Sequence, residues 1–560
     1  MRCGKTAADL PSKAPLHLTG SRNRCIVEGG YDMNTGTVPE RSVAPSALRP
    51  VSMERVEETR RAILDTVCAR NLTHEQKVTA LERLAESLIE VLDLPPGYTE
   101  LKEAGVICDL GESNCPPRPR YIVPDYGRLF AGGCRFLDLG PPADLDGALN
   151  VLSIFIRHVP SVTNFPVFIG FLDRLLEPFV VRETREAAKK KIALFLRYVD
   201  RTVTDAFCHA DIGPGDTLAG RLILECEREE PKSVPNMSFL YDTEKTPEEF
   251  ALLAAKTALG SAKPGFANHR MFLGELGEGY AVASCYNGLL EGGGSWTLMR
   301  LRLGHLAATA ESLADFWPRL RYAAEVMMAC MDARIAFMAE RSGFFESNFL
   351  SLEGFIRRDR FTAMFGLVGL AECVNILLEK EGENRDGPWR FGHGAGAEQL
   401  GVRIMDVLDA LVKAHHNPYC AATGGHFLLH GQVGIDTDTG ESPATRIPVG
   451  EEPEELSDHM NHCGRFHPYF PSGTGEVFVV ESTASRNPAF LLDMVKGGFA
   501  AGGRYFSLHS SDSDVIRVTG YLVKRSEMEK LAAGNNVLQN TTAFGLGAVR
   551  NSRVLERKRR

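Results

Sequence analysis

The sequence has no excess of positive charge and no long apolar run. Its 63 Lys and Arg residues are outnumbered by 72 Asp and Glu residues, which gives a net charge of −9. A surface that follows nucleic acid or an anionic membrane would need a basic excess. The most apolar long stretch, residues 362–378, contains Glu372 and is too short to cross a bilayer comfortably. We therefore predict no nucleic-acid partner and no membrane partner.

The cysteines also exclude a class of protein. There are 13 of them, scattered along the chain, and none forms a C-x-x-C pair. An odd, scattered set is typical of free thiols in a reducing compartment. Residues 1–30 lack the continuous apolar region of a secretory signal. We therefore predict a cytoplasmic protein.

What is present is the composition of a folded protein, with 44% hydrophobic and 24% charged residues over 560 positions. Residues 1–52 are rich in Gly, Pro, Ser and Arg, and we expect a flexible leader or a mis-assigned start there. Apolar residues recur at helical spacing over 54–70 and 73–93. The segment from Thr73 to Gln76 matches a capping box, which predicts the start of the second helix.

Further along, strand patterns alternate with helical patterns. Helical spacing is found at 144–158, 166–178, 184–201, 314–341, 366–380 and 397–414. Strand-like runs are found at 237–241, 279–284 and 296–303, and a Gly-rich loop covers 286–295. This alternation predicts an α/β fold, either a barrel or a large open sheet.

A glycine near the C-terminus interrupts two β-rich runs. Gly520 separates residues 515–519 from residues 521–523, and a glycine in such a place usually marks a turn or a bulge. The string Arg517-Val-Thr-Gly-Tyr521, however, resembles the signature of glycine radical enzymes. The chain from Met53 onward resembles the YjjI family, a group of glycine radical enzymes of unassigned substrate that is distantly similar to anaerobic ribonucleotide reductase and pyruvate formate-lyase.

Radical storage at such a position requires glycine for a physical reason. An unpaired electron on a backbone α-carbon is stabilised by conjugation with the amide nitrogen on one side and the carbonyl on the other, which needs a planar α-carbon. A side chain would crowd that geometry and shield the hydrogen from an activating enzyme. We therefore predict that Gly520→Ala folds and is inactive.

A stored radical needs a nearby thiol that becomes a thiyl and abstracts hydrogen from substrate. Cys285 is the best of the 13 candidates, because it ends an apolar strand and enters the Gly-rich loop. The resemblance implies a ten-stranded α/β barrel surrounded by helices, with two finger loops that meet inside it. Cys285 would head the first loop and Gly520 the second. The barrel and cysteine loop would occupy 53–485, and the glycine radical region 486–560.

The resemblance also implies partners. A radical S-adenosylmethionine activase would install the radical on Gly520, no cofactor would be bound permanently, and the enzyme would be an oxygen-sensitive homodimer acting on a small polar substrate. Departures from better-known relatives leave that substrate open. Ser284 and Tyr286 flank Cys285, so the adjacent cysteine pair of pyruvate formate-lyase is absent, and Asn287 replaces the glutamate of the Gly-Cys-x-Glu arrangement in the dehydratases. We expect lyase or reductase chemistry.

A second cluster supports a different hypothesis. Three imidazoles and a thiol occur within nine residues, at His459, His462, Cys463 and His467. Such groups bind zinc, but the spacing is not a standard one, and Gly464 and Pro468 argue against the helix that would align them. The alternative function is a metal-dependent hydrolase or lyase with a structural Gly520, and a third is a silent binding protein on the same barrel. We assign no metal ligand and favour a polar wall of the substrate pocket as the role of this cluster. We interpret residues 208–211 and 426–430 as ordinary core or loop positions.

Overall fold

A sheet of ten consecutively hydrogen-bonded strands forms the centre of the fold, and an eleventh strand joins it on one side. The computed structural model describes residues 52–90, 92–162, 167–205, 207–283, 286–383, 389–432 and 438–560. Of the predicted leader, residues 1–52, only Ser52 lies within the described residues. The strands are β1 (Ile107–Cys108), β2 (Tyr121–Val123), β3 (Val167–Phe171), β4 (Cys208–Ile212), β5 (Asn236–Tyr241), β6 (Gly265–Asn268), β7 (Tyr280–Val282), β8 (Gly288–Leu290), β9 (Gly293–Arg302), β10 (Phe361–Val368), β11 (Leu428–Gly431), β12 (Glu476–Val480), β13 (Tyr505–Ser510), β14 (Val515–Arg517) and β15 (Leu522–Lys524).

The central strands run in the order β11-β10-β9-β2-β3-β4-β5-β6-β13-β12, and β1 pairs with β9. Strands β2 to β6 are parallel to one another, as are β9 to β11 and β12 with β13. The two halves meet antiparallel at β2 with β9 and at β6 with β13. The two ends of the order also approach each other, because the amide of Gly431 donates to the carbonyl of Gly473 (2.9 Å). The predicted ten-stranded barrel is therefore confirmed.

The barrel has an apolar outer face and a polar inner face. All residues of β3, β4, β5 and β10 are buried, as expected for parallel strands covered on both sides. In β5 the ring of Phe239 lies 5.1 Å from that of Phe250 in the surrounding helix at 248–261. Because side chains alternate along a strand, Asn236 and Ser238 point to the opposite, inner face.

Helices surround the sheet. They are α1 (Met53–Cys68), α2 (His74–Ser87), α3 (Tyr98–Glu103), α4 (Tyr126–Gly132), α5 (Leu145–His158), α6 (Leu172–Val180), α7 (Arg185–Thr202), α8 (Leu218–Glu229), α9 (Glu248–Ser261), α10 (His269–Leu276), α11 (Leu303–Thr309), α12 (Leu313–Glu340), α13 (Phe344–Ser347), α14 (Phe349–Leu352), α15 (Leu370–Lys380), α16 (Ala395–Ala414), α17 (Leu456–Phe466), α18 (Pro488–Ala500), α19 (Arg525–Ala532) and α20 (Thr541–Ser552). The capping box of Thr73 and Gln76 begins α2 as predicted. Among the described helices, none combines the length and the apolar character needed to span a membrane.

Two helix predictions were wrong in part. Residues 166–178 do not form one helix, because β3 occupies Val167–Phe171 and α6 begins at Leu172. Likewise β10 ends at Val368, and Gly369 (φ +78°) separates it from α15. A short apolar run in a buried parallel strand cannot be told from a buried helical segment by periodicity alone.

Candidate functional site

The predicted radical residue lies in a short hairpin outside the ten-strand order. Strands β14 and β15 pair antiparallel, with Arg517 opposite Leu522, which confirms the two β-rich runs. The loop between them holds Gly520, which is buried. The amide of Val518 donates to the carbonyl of Tyr521 (3.0 Å) and closes the loop. We call residues 515–524 the glycine hairpin.

The carbonyl of Gly520 is held by two side chains. It accepts hydrogen bonds from Nη1 of Arg517 (3.1 Å) and from Nδ2 of Asn236 at the start of β5 (3.3 Å). Nη2 of Arg517 also donates to Oδ1 of Asn236 (2.7 Å). Since Arg517 is only 1% exposed, these charge-assisted bonds are shielded from water. The tip of the glycine hairpin is therefore fastened to the inner face of β5.

A second arginine holds the other carbonyls of the same hairpin. Nη1 of Arg557 donates to the carbonyl of Arg517 (3.4 Å), and Nη2 of Arg557 donates to that of Val518. Burial, with some repulsion from Arg446, lowers the pKa of Arg557 to about 10. Arg557 therefore remains a cation at neutral pH, and it binds backbone dipoles.

The second predicted site residue, Cys285, lies outside the described residues together with Ser284. The strands on either side of them, β7 and β8, pair antiparallel, with Val282 opposite Gly288. The amide of Ala283 donates to the carbonyl of Asn287 (2.9 Å). The amide of Val282 donates to Oδ2 of Asp211 in β4 (2.9 Å). We call residues 280–290 the cysteine hairpin, and its described residues contact the inner face of the barrel.

Tyr286, the residue that follows Cys285, is packed among three parts of the barrel. Its ring centroid lies 5.8 Å from that of Tyr505 in β13 and 6.2 Å from that of His430 in β11. Its carbonyl lies against Gly473, where an added Cβ would be 1.9 Å from the Tyr286 oxygen. Gly473 also has φ +109°, so glycine is required there for both space and conformation.

One face of β5 contacts the surroundings of both hairpins. Oγ of Ser238 donates to Oη of Tyr505 (3.3 Å), and Tyr505 packs against Tyr286 of the cysteine hairpin. Two residues earlier on the same face, Asn236 binds Gly520 of the glycine hairpin. Residues two apart in a strand are separated by roughly 7 Å. The structure thus brings Gly520 and the described neighbour of position 285 to the same inner surface.

Burial shifts the pKa values of two titratable groups on that surface. His209 and Asp211 are fully buried on β4, and Nε2 of His209 lies 2.8 Å from Oγ of Ser238. Burial, reinforced by the charge of Arg517, holds the pKa of His209 well below its usual value. Burial raises the pKa of Asp211 well above its usual value. At neutral pH this surface therefore offers an uncharged imidazole, beside a carboxyl whose charged form is disfavoured by burial.

The histidine cluster does not form one site. Helix α17 runs through Gly464, so the expectation that this glycine argues against a helix was wrong. An added Cβ at Gly464 would lie 1.9 Å from the carbonyl oxygen of Ala501, which follows α18. The glycine lets the chain pack closely. His462 faces Glu398 (2.9 Å) and the carbonyl of Thr445. His467 accepts from the amide of Arg504 (3.1 Å).

The remaining two members of the cluster meet a carboxylate from β12. The ligand atoms of His459, Cys463 and Glu476 lie within 4.8 Å of one another, a spacing that could accommodate a metal ion. Basic groups already contact this set: Nη2 of Arg560 lies 3.2 Å from Nδ1 of His459, and Nε of Arg446 lies 3.5 Å from Glu476. Burial raises the pKa of the Cys463 thiol well above its usual value, which disfavours the thiolate that metals prefer.

Sequence reasoning missed the residues that hold the two hairpins in place. Asn236 and Ser238 flank Met237 at the start of an apolar strand, and polar residues at alternate positions of such a strand are a signal for an inward polar face. Arg517 belongs to the glycine motif, but its contact with the Gly520 carbonyl was not predicted. Nothing local indicated that Asn236 would bind Gly520, since 284 positions separate them.

Comparison with known proteins agrees with this geometry. The family model described as "Glycyl radical enzyme YjjI-like" matches residues 72–560. An uncharacterized protein of Haemophilus influenzae is 46% identical over 510 residues, which cover 89% of this chain and 97% of the relative. The uncharacterized protein YjjI of Escherichia coli is 41% identical over 493 residues, which cover 87% of this chain and 94% of the relative.

Solved structures are similar in fold. The glycerol-bound form of the B12-independent glycerol dehydratase from Clostridium butyricum has a TM-score of 0.60 at 12% identity, covering 85% of this chain and 88% of that chain. The anaerobic ribonucleotide reductase of Thermotoga maritima, in complex with dATP and CTP, has a TM-score of 0.58 at 13% identity, covering 86% and 91%. At such identities the likeness concerns the barrel fold alone. The family model and both relatives show that this chain belongs to the YjjI-like glycyl radical enzymes.

Proposed function

We propose that the protein is an oxygen-sensitive enzyme that stores an unpaired electron on Gly520 and transfers it to Cys285, whose thiyl radical abstracts hydrogen from a small polar substrate. Membership of the glycyl radical enzyme family makes an enzyme of this class the first hypothesis. The observation that supports it most is the inner face of β5, which contacts both hairpins. There Asn236 binds Gly520, and Ser238 binds Tyr505, whose ring packs against Tyr286.

Each step of the proposed cycle moves one hydrogen atom. The S–H bond of Cys285 breaks, its hydrogen goes to the α-carbon of Gly520, and a thiyl radical remains. The thiyl takes a hydrogen atom from a substrate carbon, which restores the thiol and leaves a substrate radical. After rearrangement or elimination, the product radical recovers a hydrogen atom from Cys285, and the thiyl then takes hydrogen back from Gly520.

The residues around Gly520 suit this role. An α-carbon radical places spin density on its own carbonyl oxygen, and that oxygen accepts bonds from Arg517 and Asn236. Such donors stabilise the delocalised form and hold the backbone in one orientation. The buried setting of Gly520 limits the access of water and oxygen, and in the proposed cycle the barrel would keep donor and acceptor close, so that transfer becomes an intramolecular step.

The partners of the cycle are part of the same proposal. A radical S-adenosylmethionine activase would take the first hydrogen atom from Gly520, using a deoxyadenosyl radical made by reductive cleavage of its cosubstrate. Residues 486–560 would be the region on which the activase acts, and residues 53–485 would hold the cysteine loop. We also propose a cytoplasmic homodimer, with no cofactor bound permanently.

Anaerobic activation followed by electron paramagnetic resonance tests the proposal in four proteins. The unmodified enzyme should give a doublet signal, and Gly520→Ala should give none. Cys285→Ser should keep the signal, because Gly520 can still store the radical, but should exchange no hydrogen with substrate. Gly497→Ala is a matched glycine control, since an added Cβ there meets nothing within 4 Å, and it should behave as the unmodified enzyme.

Two outcomes would contradict the proposal. One is turnover that persists in Gly520→Ala, especially with stoichiometric zinc, which would favour hydrolase or lyase chemistry at His459 and its neighbours. The other is ligand binding without any radical signal after activation, which would indicate a silent binding protein on the same barrel.

A further inference from the structure

A cavity of about 550 Å³ lies beside the glycine hairpin. Its lining comes from residues 440–452, from α15, from residues 551–557 and from Arg390, His459, Glu476 and Thr519. The volume is in the range of pockets that hold small-molecule ligands. Neither the storage of the radical on Gly520 nor its transfer accounts for this cavity.

Arg446 connects the cavity to the cysteine hairpin. The residue is only 6% exposed, and its Nε donates to the carbonyl of Gly475 (2.7 Å). Its Cζ lies 5.9 Å from the ring centroid of Tyr286, the residue after Cys285. Nη1 and Nη2 of Arg446 are buried and have no hydrogen-bond partner among the described residues. A buried guanidinium with two unsatisfied nitrogens is costly unless a ligand completes it.

Thr519 connects the same cavity to the glycine hairpin. It directly precedes Gly520, it is 2% exposed, and its Oγ1 has no hydrogen-bond partner within the described part of the chain. The cavity is therefore lined by a residue adjacent to Gly520 and by a residue that packs on the neighbour of Cys285. A ligand held there would be close to the glycine hairpin and to Tyr286.

Three of the five carboxylates of the lining have cationic partners. Glu441 is paired with Arg302 (2.6 Å), Glu451 is paired with Arg390 (2.8 Å), and Glu476 contacts His459 and Arg446. The other two accept hydrogen bonds from neutral donors: Glu372 from Oγ of Ser442 (2.8 Å) and Glu452 from the amide of Gly450 (2.8 Å).

Glu476 lies 3.3 Å from Nε2 of His459 and, through its other oxygen, 3.5 Å from Nε of Arg446. The terminal nitrogens of Arg446 are not engaged by this contact. Arg557 adds a second, partly buried guanidinium to the lining, and its own bonds go to backbone carbonyls. At Arg446 the cavity thus combines buried positive charge with donors that have no acceptor, which is the chemistry of an anion site.

We propose that this cavity is the substrate site and that the substrate carries a carboxylate or phosphate group bound by the terminal nitrogens of Arg446. Thr519 supplies a hydroxyl to the part of the substrate nearest to Gly520. The assignment of the ligand as substrate rests on the proposed function, whereas the binding of an anion does not require a radical.

Calorimetric titration of the full-length, unactivated protein tests this assignment. Succinate and inorganic phosphate are the two anionic probes, and succinamide is the neutral match for the first. We expect at least one of the two anions to bind. If succinate binds, succinamide should bind at least roughly tenfold more weakly than succinate. The tighter of the two anions identifies the class of substrate. Arg446→Gln should lose roughly tenfold or more in affinity for that anion.

Arg60→Gln is the control for the loss of one positive charge. The side chain of Arg60 lies outside the cavity lining, is 70% exposed and already pairs with Glu57 (3.0 Å), so its loss should leave the affinity unchanged. If Arg446→Gln does not fold, hydrogen exchange of the unmodified protein provides the second measurement. The bound anion should then slow exchange in peptides that cover residues 440–452 and 515–521.

Binding of neither anion, equal affinity for succinate and succinamide where succinate is the tighter anion, an undiminished affinity in Arg446→Gln, or no protection of those peptides would overturn the anion site. These results are independent of the radical. A doublet on Gly520 without any anion binding would reject this site and leave the proposed function intact. Anion binding without a doublet would reject the proposed function and leave an anion-binding cavity.

Discussion

The two hairpins inside the barrel are held in different ways. The cysteine hairpin leads directly into the ten-residue strand β9 and is bound through its backbone amides: Val282 donates to Asp211, and Gly288 donates to the carbonyl of Ser472 (2.9 Å). The carbonyls in the loop of the glycine hairpin, in contrast, are held by side chains, namely Arg517, Asn236 and Arg557.

The difference shows where each hairpin's position is determined. The cysteine hairpin is continuous with a barrel strand, and the close packing of Gly473 against the Tyr286 carbonyl leaves little space for the hairpin to move. The glycine hairpin depends on a few hydrogen bonds from buried arginines, so local opening there costs less than global unfolding. We expect substitutions near the first hairpin to affect the whole fold and substitutions near the second to act locally.

The largest effect is expected for Gly473→Ala. The added Cβ would lie 1.9 Å from the Tyr286 carbonyl, and φ is +109°, so both the backbone and the cysteine hairpin must shift. We expect the free energy of unfolding to fall by about 4 kcal/mol or more, measured by denaturant titration. Gly534→Ala separates strain from contact, because φ there is +83° but an added Cβ meets nothing within 4 Å. It should cost about 1 kcal/mol. Equal losses in the two variants would show that the cysteine hairpin is not tightly packed at Gly473.

Arg517→Met should produce the next largest effect, and a local one. It leaves Oδ1 of Asn236 without its donor and removes one of the two donors to the Gly520 carbonyl. Breaking such a buried charged interaction should cost about 3 kcal/mol. Hydrogen exchange should become faster in residues 515–524 and stay unchanged in residues 280–290. Equally faster hydrogen exchange in both segments would show that the two hairpins are not held independently.

Acid should weaken the side of the barrel near the glycine hairpin through His509 in β13. Burial, with repulsion from Arg557, Arg525 and Arg517, lowers the pKa of His509 to about 3. The folded pKa is below the unfolded value of about 6.5, so the folded state binds fewer protons. Stability from this residue is present above pH 6.5 and is lost as pH falls toward 3.

The measurement is a comparison of two stability profiles. From pH 6.5 to pH 5 the unmodified protein should lose roughly 1.5 kcal/mol more than His509→Gln, which has no imidazole to protonate. Buried carboxyls with raised pKa values, such as Asp173 (about 6), change both proteins equally and cancel in the difference. Parallel stability profiles of the two proteins would show that the pKa of His509 is the same in the folded and unfolded states.

The smallest effect is expected for Phe207→Leu. The Phe207 ring lies 5.4 Å from that of Tyr521, directly after Gly520. Leucine keeps the apolar contact and loses the ring pair, which should cost about 1 kcal/mol. Faster hydrogen exchange confined to residues 515–524 would sharpen the comparison. No change there would mean that the polar contacts of Arg517, Asn236 and Arg557 position the hairpin without help from this ring pair.

Long and local features were predictable from the sequence. Helices α12 and α16 were predicted within two residues at each end, because their patterns are long and strongly periodic. The two β-rich runs around Gly520 became β14 and β15. Strand β4, in contrast, was missed, because five fully buried residues with His209 and Asp211 among them show no alternation of polarity.

The candidate site was predictable only where one residue type is chemically required. Gly520 stands in a recognisable string, and a backbone radical requires glycine. Asn236 and Arg446 act on hairpins more than 150 positions away in the chain, and only the closure of the barrel brings them there. No local pattern encodes such contacts, since register and topology determine them.

Selective isotope labelling tests the central claim most directly. Protein made with glycine deuterated at the α-carbon is activated anaerobically, and its paramagnetic resonance spectrum is compared with that of unlabelled protein. If the electron resides on Gly520, the doublet of the unlabelled protein arises from its one remaining α-hydrogen and collapses on deuteration. A splitting that survives deuteration would contradict storage on glycine and, with it, the account of the two hairpins.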